Sequence, residues 1–290
     1  MADRFAELAT GNNNWSSVNT WKATTDGATG ASVPTSSDNV YVNADSCAAG
    51  ATLTVDATAY CKDMDWSGGD RSGATNTPTF TQTNKLYVYG DLTTIAAMVY
   101  GGSQYLYFAG NIAHNLTSNG LTINNVGVYL GSGFIGTINL LDALTTNRLR
   151  IIAGTITTNN HDVTCALHFS LGQIGAATAN LGSSTINTVE WQVYAGPVTL
   201  NAGTSIINAS GNFTGGSIAT YNIVNLTGAT STITGDNTFT TFALPPATTQ
   251  TIIFTDGTTQ TATTFNLDGS AGHIHTLQGT GVAGWALVQA

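Results

Sequence analysis

Apolar residues in this chain recur at every second position in short runs, and Gly, Asn or Asp breaks each run within about eight residues. Leu121-Thr-Ile123, Leu149-Arg-Ile151, Thr155-Ile-Thr157, Val198-Thr-Leu200 and Thr230-Ser-Thr-Ile-Thr234 show the pattern. A period of two puts alternate side chains on opposite faces of an extended backbone, and the intervening residues favour turns. The pattern predicts many short strands and almost no helix.

The strands come in a recurring unit. Leu86-Tyr-Val-Tyr-Gly90-Asp-Leu92 returns as Leu106-Tyr-Phe-Ala-Gly110-Asn-Ile112, with a looser echo in Val128-Tyr-Leu-Gly131. Further apolar runs close at Gly154, Gly172, Gly196, Gly211 and Gly228. A strand-rich repeat of this size can bury its apolar face only by stacking on its neighbours. The expected architecture is all-β: a parallel β-solenoid over residues 41–290, with Leu, Ile and Val stacked inside and Thr and Asn outside. A pair of β-sandwiches, with hairpins of unequal length, is the alternative.

Residues 1–40 read differently. Asn12-Asn-Asn-Trp-Ser-Ser-Val-Asn-Thr-Trp21 carries two tryptophans, followed by a Gly- and Thr-rich stretch. The open end of a solenoid exposes core and unpaired backbone, so this segment is expected to cap it, with Trp15 and Trp21 as the plug. The rival reading of the two indoles is a carbohydrate or subunit contact.

Charge sharpens the picture. Only 8% of residues are charged, and all seven Lys and Arg lie before Ile151. Thr (50), Gly (33) and Asn (26) take the place of charge, a composition suited to strand surfaces and turns rather than helices. The net charge of −9 makes nucleic acid and anionic membrane poor partners. No apolar run approaches the ~18 residues of a membrane-spanning helix. Cys47, Cys61 and Cys165 form no disulfide framework and read as buried thiols, with a Cys47–Cys61 bridge as the alternative. The N-terminus lacks the basic start and apolar stretch of a secretory signal. An extracellular composition without an export signal fits a virion protein, made in the cytosol and released by lysis.

Trp15-x5-Trp21 together with Ala31-Ser-Val-Pro-Thr-Ser-Ser-Asp-Asn-Val-Tyr-Val42 resembles the opening of β-helical tail-fibre, appendage and capsid-surface proteins of phages and phage-like particles. The resemblance continues through Cys61-Lys-Asp-Met-Asp-Trp-Ser-Gly68, Ile151-Ile-Ala-Gly-Thr-Ile-Thr-Thr-Asn-Asn160 and Gln250-Thr-Ile-Ile-Phe-Thr-Asp-Gly257. It implies a structural protein of the virion surface, whose partners are sister chains, other virion proteins and host glycan. It implies no catalytic residues, and in similar proteins the chain often continues past Trp285-Ala-Leu-Val-Gln-Ala290.

Candidate chemistry is sparse. A depolymerase would need paired carboxylates, and the nearest pairs are Asp63 with Asp65 and Asp256 with Asp268; solvated turn positions explain them as well. His273-Ile-His275 places two imidazoles on one strand face. In trimerising phage fibres such motifs resemble an iron site on the threefold axis, so the resemblance extends to a candidate metal site at His273 and His275, with an ordinary strand as the alternative. His161, Cys165 and His168 can be drawn as a metal cluster, but their alternation with Val163 and Leu167 favours packing. Tyr87 and Tyr107 occupy equivalent places in the repeat, with Tyr89 and Tyr105 beside them. Stacked at the strand spacing, roughly 4.8 Å, they would form an aromatic ladder that stabilises coils or contacts a sugar or subunit. Three functions follow: a virion structural protein, a glycan-binding or glycan-degrading fibre, and a bacterial extracellular filament or adhesin subunit.

Overall fold

The computed structural model describes residues 2–43, 47–68, 78–128, 136–194, 196–216 and 220–290. The echo at Val128–Gly131 falls largely outside them. The chain is an all-β parallel solenoid, and it divides into two compact units, Met1–Thr146 and Asn147–Ala290. Among the described residues the sole helical element is the 3-10 turn Val18–Thr20.

In the first unit three files of strands make a three-sided coil. One file runs Asp3–Ala6, Asn39–Tyr41, Met64–Asp65, Leu92–Thr93 and Ala113–Thr117. A second stacks Gly11–Asn14, Ala51–Val55, Thr79–Gln82 and Val99–Gly102. The third stacks Ala59–Cys61, Leu86–Val88, Leu106–Phe108 and Thr122–Val128. The repeat seen in the sequence is one coil, because Leu106, Tyr107 and Phe108 pair in register with Leu86, Tyr87 and Val88. Sandwich hairpins would require antiparallel neighbours. Every described ladder is parallel but one, Asp3–Ala6 with Trp21–Lys22, which rules out the sandwich.

That exception closes the N-terminal end. Asp3–Ala6 and Gly11–Asn14 already belong to the first coil, so the solenoid begins inside residues 1–40 and the covering is done by the loop from Trp15 onward. Trp15 and Trp21 are 2% and 0% exposed, cross edge-to-face at 4.9 Å, and the Trp21 Nε1–H donates to the Trp15 carbonyl at 2.8 Å. The edge strand is blunted from the side: Asn13 Nδ2 donates to the carbonyls of Ala9 and Gly11, and Thr20 Oγ1 to that of Asn14.

The second unit repeats the design. Gly154–Thr157, Ala177–Asn180 and Val198–Asn201 stack in parallel. So do Val163–Leu171, Thr185–Val193, Ile206–Ala209, Thr220–Leu226, Asn237–Ala243, Thr259–Asn266 and Ala286–Gln289. Its core is aromatic. Trp191, fully buried, stacks on Phe169 at 4.9 Å and meets Tyr221 edge-on at 6.0 Å; the Tyr221 hydroxyl donates to the Gly215 carbonyl at 2.7 Å. Coil length varies at the corners: Asn225 bonds Asn208 across 17 residues, while Asn115 bonds Asp91 across 24.

Candidate functional site

The aromatic ladder is present, and its geometry limits what it can touch. Tyr60, Tyr87 and Tyr107 stack at 5.5 and 5.3 Å, and Tyr105 lies against Tyr107 at 5.5 Å. Each inner ring therefore has its faces taken by neighbouring rings, so Tyr87 and Tyr107 offer no open face for a sugar to stack upon. Beyond Tyr107 stands Gly127, where a Cβ would lie 2.6 Å from the Tyr107 Cε1; the glycine makes room for the last ring. Tyr89 packs beside Gly110, whose added Cβ would sit 3.4 Å from its ring. With both indoles buried in the cap, Trp15 and Trp21 are likewise closed to a ligand.

His273 and His275 are both partly buried, on either side of Ile274, which is 73% exposed. His275 opens the strand His275–Gly279 and pairs with Gln250, whereas His273 sits in a turn bridge with Ser270. Among the described residues no group of three His, Cys, Asp or Glu side chains comes together to hold a metal. His161, Cys165 and His168 do not converge either. Cys165 is buried, and its thiol is pushed up to about 12 by desolvation. His168 is held below its ordinary value by burial, then by Arg148 and Arg150.

The carboxylates explain themselves by their partners. Asp63 accepts from the Asp91 amide at 2.8 Å, and Asp91 from the Asn115 amide at 2.7 Å. Asp142 accepts from the Ser118 amide at 2.8 Å, Asp162 from Thr185 at 2.8 Å, and Asp236 from Thr259 at 2.7 Å. Asp256 holds the amides of Gly281 and Ala283, both at 2.9 Å. In each case a turn aspartate on one coil ties down a backbone N–H of the adjacent coil, an orphan donor the parallel ladder leaves at its corners. Asp65 instead closes a local turn onto the Ser67 amide at 2.7 Å, and Asp268 is exposed. Two of the clamps are shifted by the bonds they accept. Burial would raise Asp56, but the Ser16 hydroxyl and amide outweigh it and hold the carboxyl low; the Ala283 and Gly281 amides do the same for the half-buried Asp256.

Two of the polar clefts on the described residues matter here. One, of about 410 Å³, lies near the cap among Glu7, Asn12, Asn14, Ser17 and Asn19; Glu7 there pairs with Lys22 at 2.8 Å. The other, about 210 Å³, opens on the side of the second unit between Asn187, Asn208, Val189 and Ser210. The sequence reading missed this second cleft. Its signal was an Asn recurring beside an inward apolar residue, in Ile186-Asn187, Ile207-Asn208 and Val224-Asn225.

Compared with known proteins, the chain matches no family model, no curated protein and no solved structure.

Proposed function

We propose that this chain is a structural, non-enzymatic component of the outer surface of a phage-like particle, as a capsid decoration, head fibre or tail fibre, and that it works by assembly. The observation that carries the reading is the use of its carboxylates. Asp63, Asp91, Asp142, Asp162, Asp236 and Asp256 each hold a neighbouring coil's amide, an arrangement that supports a durable scaffold. Retaining hydrolysis instead wants two free carboxyls ~5 Å apart across a sugar. A sheath of Thr and Asn hydrogen-bonds to water without long-range repulsion between copies, which suits a crowded surface of sister chains. Light scattering and negative-stain imaging of the purified chain test the proposal. A discrete monomer or trimer is expected; open-ended filaments would overturn it and assign the chain to the extracellular-matrix or adhesin class.

A second reading, a glycan-contacting fibre, is favoured by one observation: the uncharged lateral cleft of the second unit.

A further inference from the structure

We infer that the lateral groove of the second unit is a binding site for a neutral, extended glycan. This deepens the glycan-contact reading and does not depend on particle assembly.

The groove is built across consecutive coils. Thr164, Asn187, Asn208 and Asn225 stand in register on four successive strands, and their file ends at Ala243; the first three line the groove. Asn208 Nδ2 donates to Asn187 Oδ1 at 2.8 Å, and Asn225 Nδ2 to Asn208 Oδ1 at 2.7 Å. The chain of amides fixes each side-chain plane and aligns the amide dipoles in one direction, so the wall is ordered before any ligand arrives. Val189, Ser210 and Thr227, each two residues beyond an asparagine of the file, form the opposite wall. A register shift between Cys165 and His168 bulges the neighbouring strand outward. Leu167 there is 41% exposed, and Val189, 37% exposed, lines the groove as its apolar edge.

The lining selects the ligand. Amides and hydroxyls lie on two walls and a small aliphatic patch at one edge, which matches a sugar that carries hydroxyls along its rim and C–H groups on its face. Successive coils are spaced by roughly 4.8 Å, close to the advance of one hexose in an extended chain, so one amide can serve each sugar. No charged side chain lines the groove, and the second unit carries five acidic residues against two arginines, Arg148 and Arg150. Uronates, sialylated glycans and phosphates would therefore find no cation within the groove to receive them. An extended peptide is a poorer match, because the groove presents side chains and no free strand edge. The volume, about 210 Å³, is below the usual range for enclosed small-molecule pockets, as befits a shallow site gripping one or two sugars.

The test is an array of neutral oligosaccharides built on glucose, galactose, mannose and N-acetylglucosamine, with sialylated and uronate oligosaccharides as controls. Any neutral binder is then titrated by calorimetry. Ser210→Tyr and Thr227→Tyr fill the groove from exposed positions without touching the amide file; Asn208→Ala breaks the file. We expect at least one neutral family to bind and the acidic controls not to, with affinity falling at least tenfold in both tyrosine variants at an unchanged Tm. Three results overturn the inference: no neutral binder at millimolar concentration, equal binding of acidic glycans, or undiminished affinity in both tyrosine variants. Because binding is read on the isolated chain, a negative result leaves the solution-mass test of the structural role intact.

Discussion

Removing the Asp142 carboxylate should loosen the first unit at a single inter-coil joint. Asp142 accepts from the Ser118 amide at 2.8 Å and from the Ser118 hydroxyl at 3.1 Å, and it also takes the Asn119 amide. Ser118 is fully buried, so in Asp142→Ala its backbone N–H loses a charged partner where water does not readily replace it. A hydrogen bond to a charged group contributes about 1.5–3 kcal/mol, and an orphaned buried donor costs about 1–3 kcal/mol. Because Asp142 is half-exposed and the second and third bonds are partly solvent-compensated, we take about 2–4 kcal/mol for the joint as a whole. Asp142→Asn keeps one carbonyl oxygen for Ser118 but turns an N–H₂ toward another donor, and should recover about half of the loss. Urea unfolding gives the totals. Native-state hydrogen exchange should show the protection of Ser118 and Asn119 collapsing ahead of the core strands, since each coil touches only its neighbours. A change below about 0.5 kcal/mol, the ordinary range for surface substitutions, with unaltered exchange at both amides, would sink the clamp argument.

Acid should unfold the chain through the same kind of joint. The folded values of Asp38, Asp56 and Asp256 are depressed, so their contribution is complete above the unfolded carboxyl value of about 3.9 and is lost as pH falls through the folded values; a Tm that stays flat from pH 5 to pH 2 contradicts this. Cys61 and Cys165 are buried, with thiols pushed far up by desolvation, so iodoacetamide should label neither at pH 8 until denaturant is added. Gly127→Val would put its Cβ where the Tyr107 ring now lies. Overpacking of this kind costs about 1–3 kcal/mol, and the tyrosine near-ultraviolet circular dichroism should change with it; an unchanged spectrum means the ladder does not end on that glycine.

The coil itself was readable because two signals coincide. Period-two alternation sets which side chains point inward, and Leu86-Tyr-Val against Leu106-Tyr-Phe gives a register that the parallel pairing reproduces residue for residue. The burial of Trp15 and Trp21 was legible for a simpler reason, since two tryptophans in a polar stretch have to go inside somewhere. The start of the coil was not, because Asp3–Ala6 and Gly11–Asn14 are too short and polar to announce themselves as strands, and only their partners at Asn39–Tyr41 and Ala51–Val55 make them so. The aspartates looked like solvated turn residues because their acceptors' partners lie about a coil away, as with Asp162 and Thr185. Local sequence carries no trace of such a bond when corner lengths vary. The groove was hidden for the same reason: Asn187 and Asn208 become one wall only after unequal coils are aligned.

The covered N-terminal end gives the fold a direction in time. Trp15, Trp21 and the blunted strand Gly11–Asn14 complete one surface using only residues from the beginning of the chain and their immediate neighbours. A nascent chain can therefore close that surface soon after Ala51–Val55 leaves the ribosome, and each later strand finds a finished edge waiting for it. Ordering one more coil then fixes a segment of roughly two dozen residues against a template, a short loop closure by the standard of β-proteins. Such a chain grows like a crystal from a seed, and its yield should depend more on the first fifty-five residues than on any later stretch of equal length.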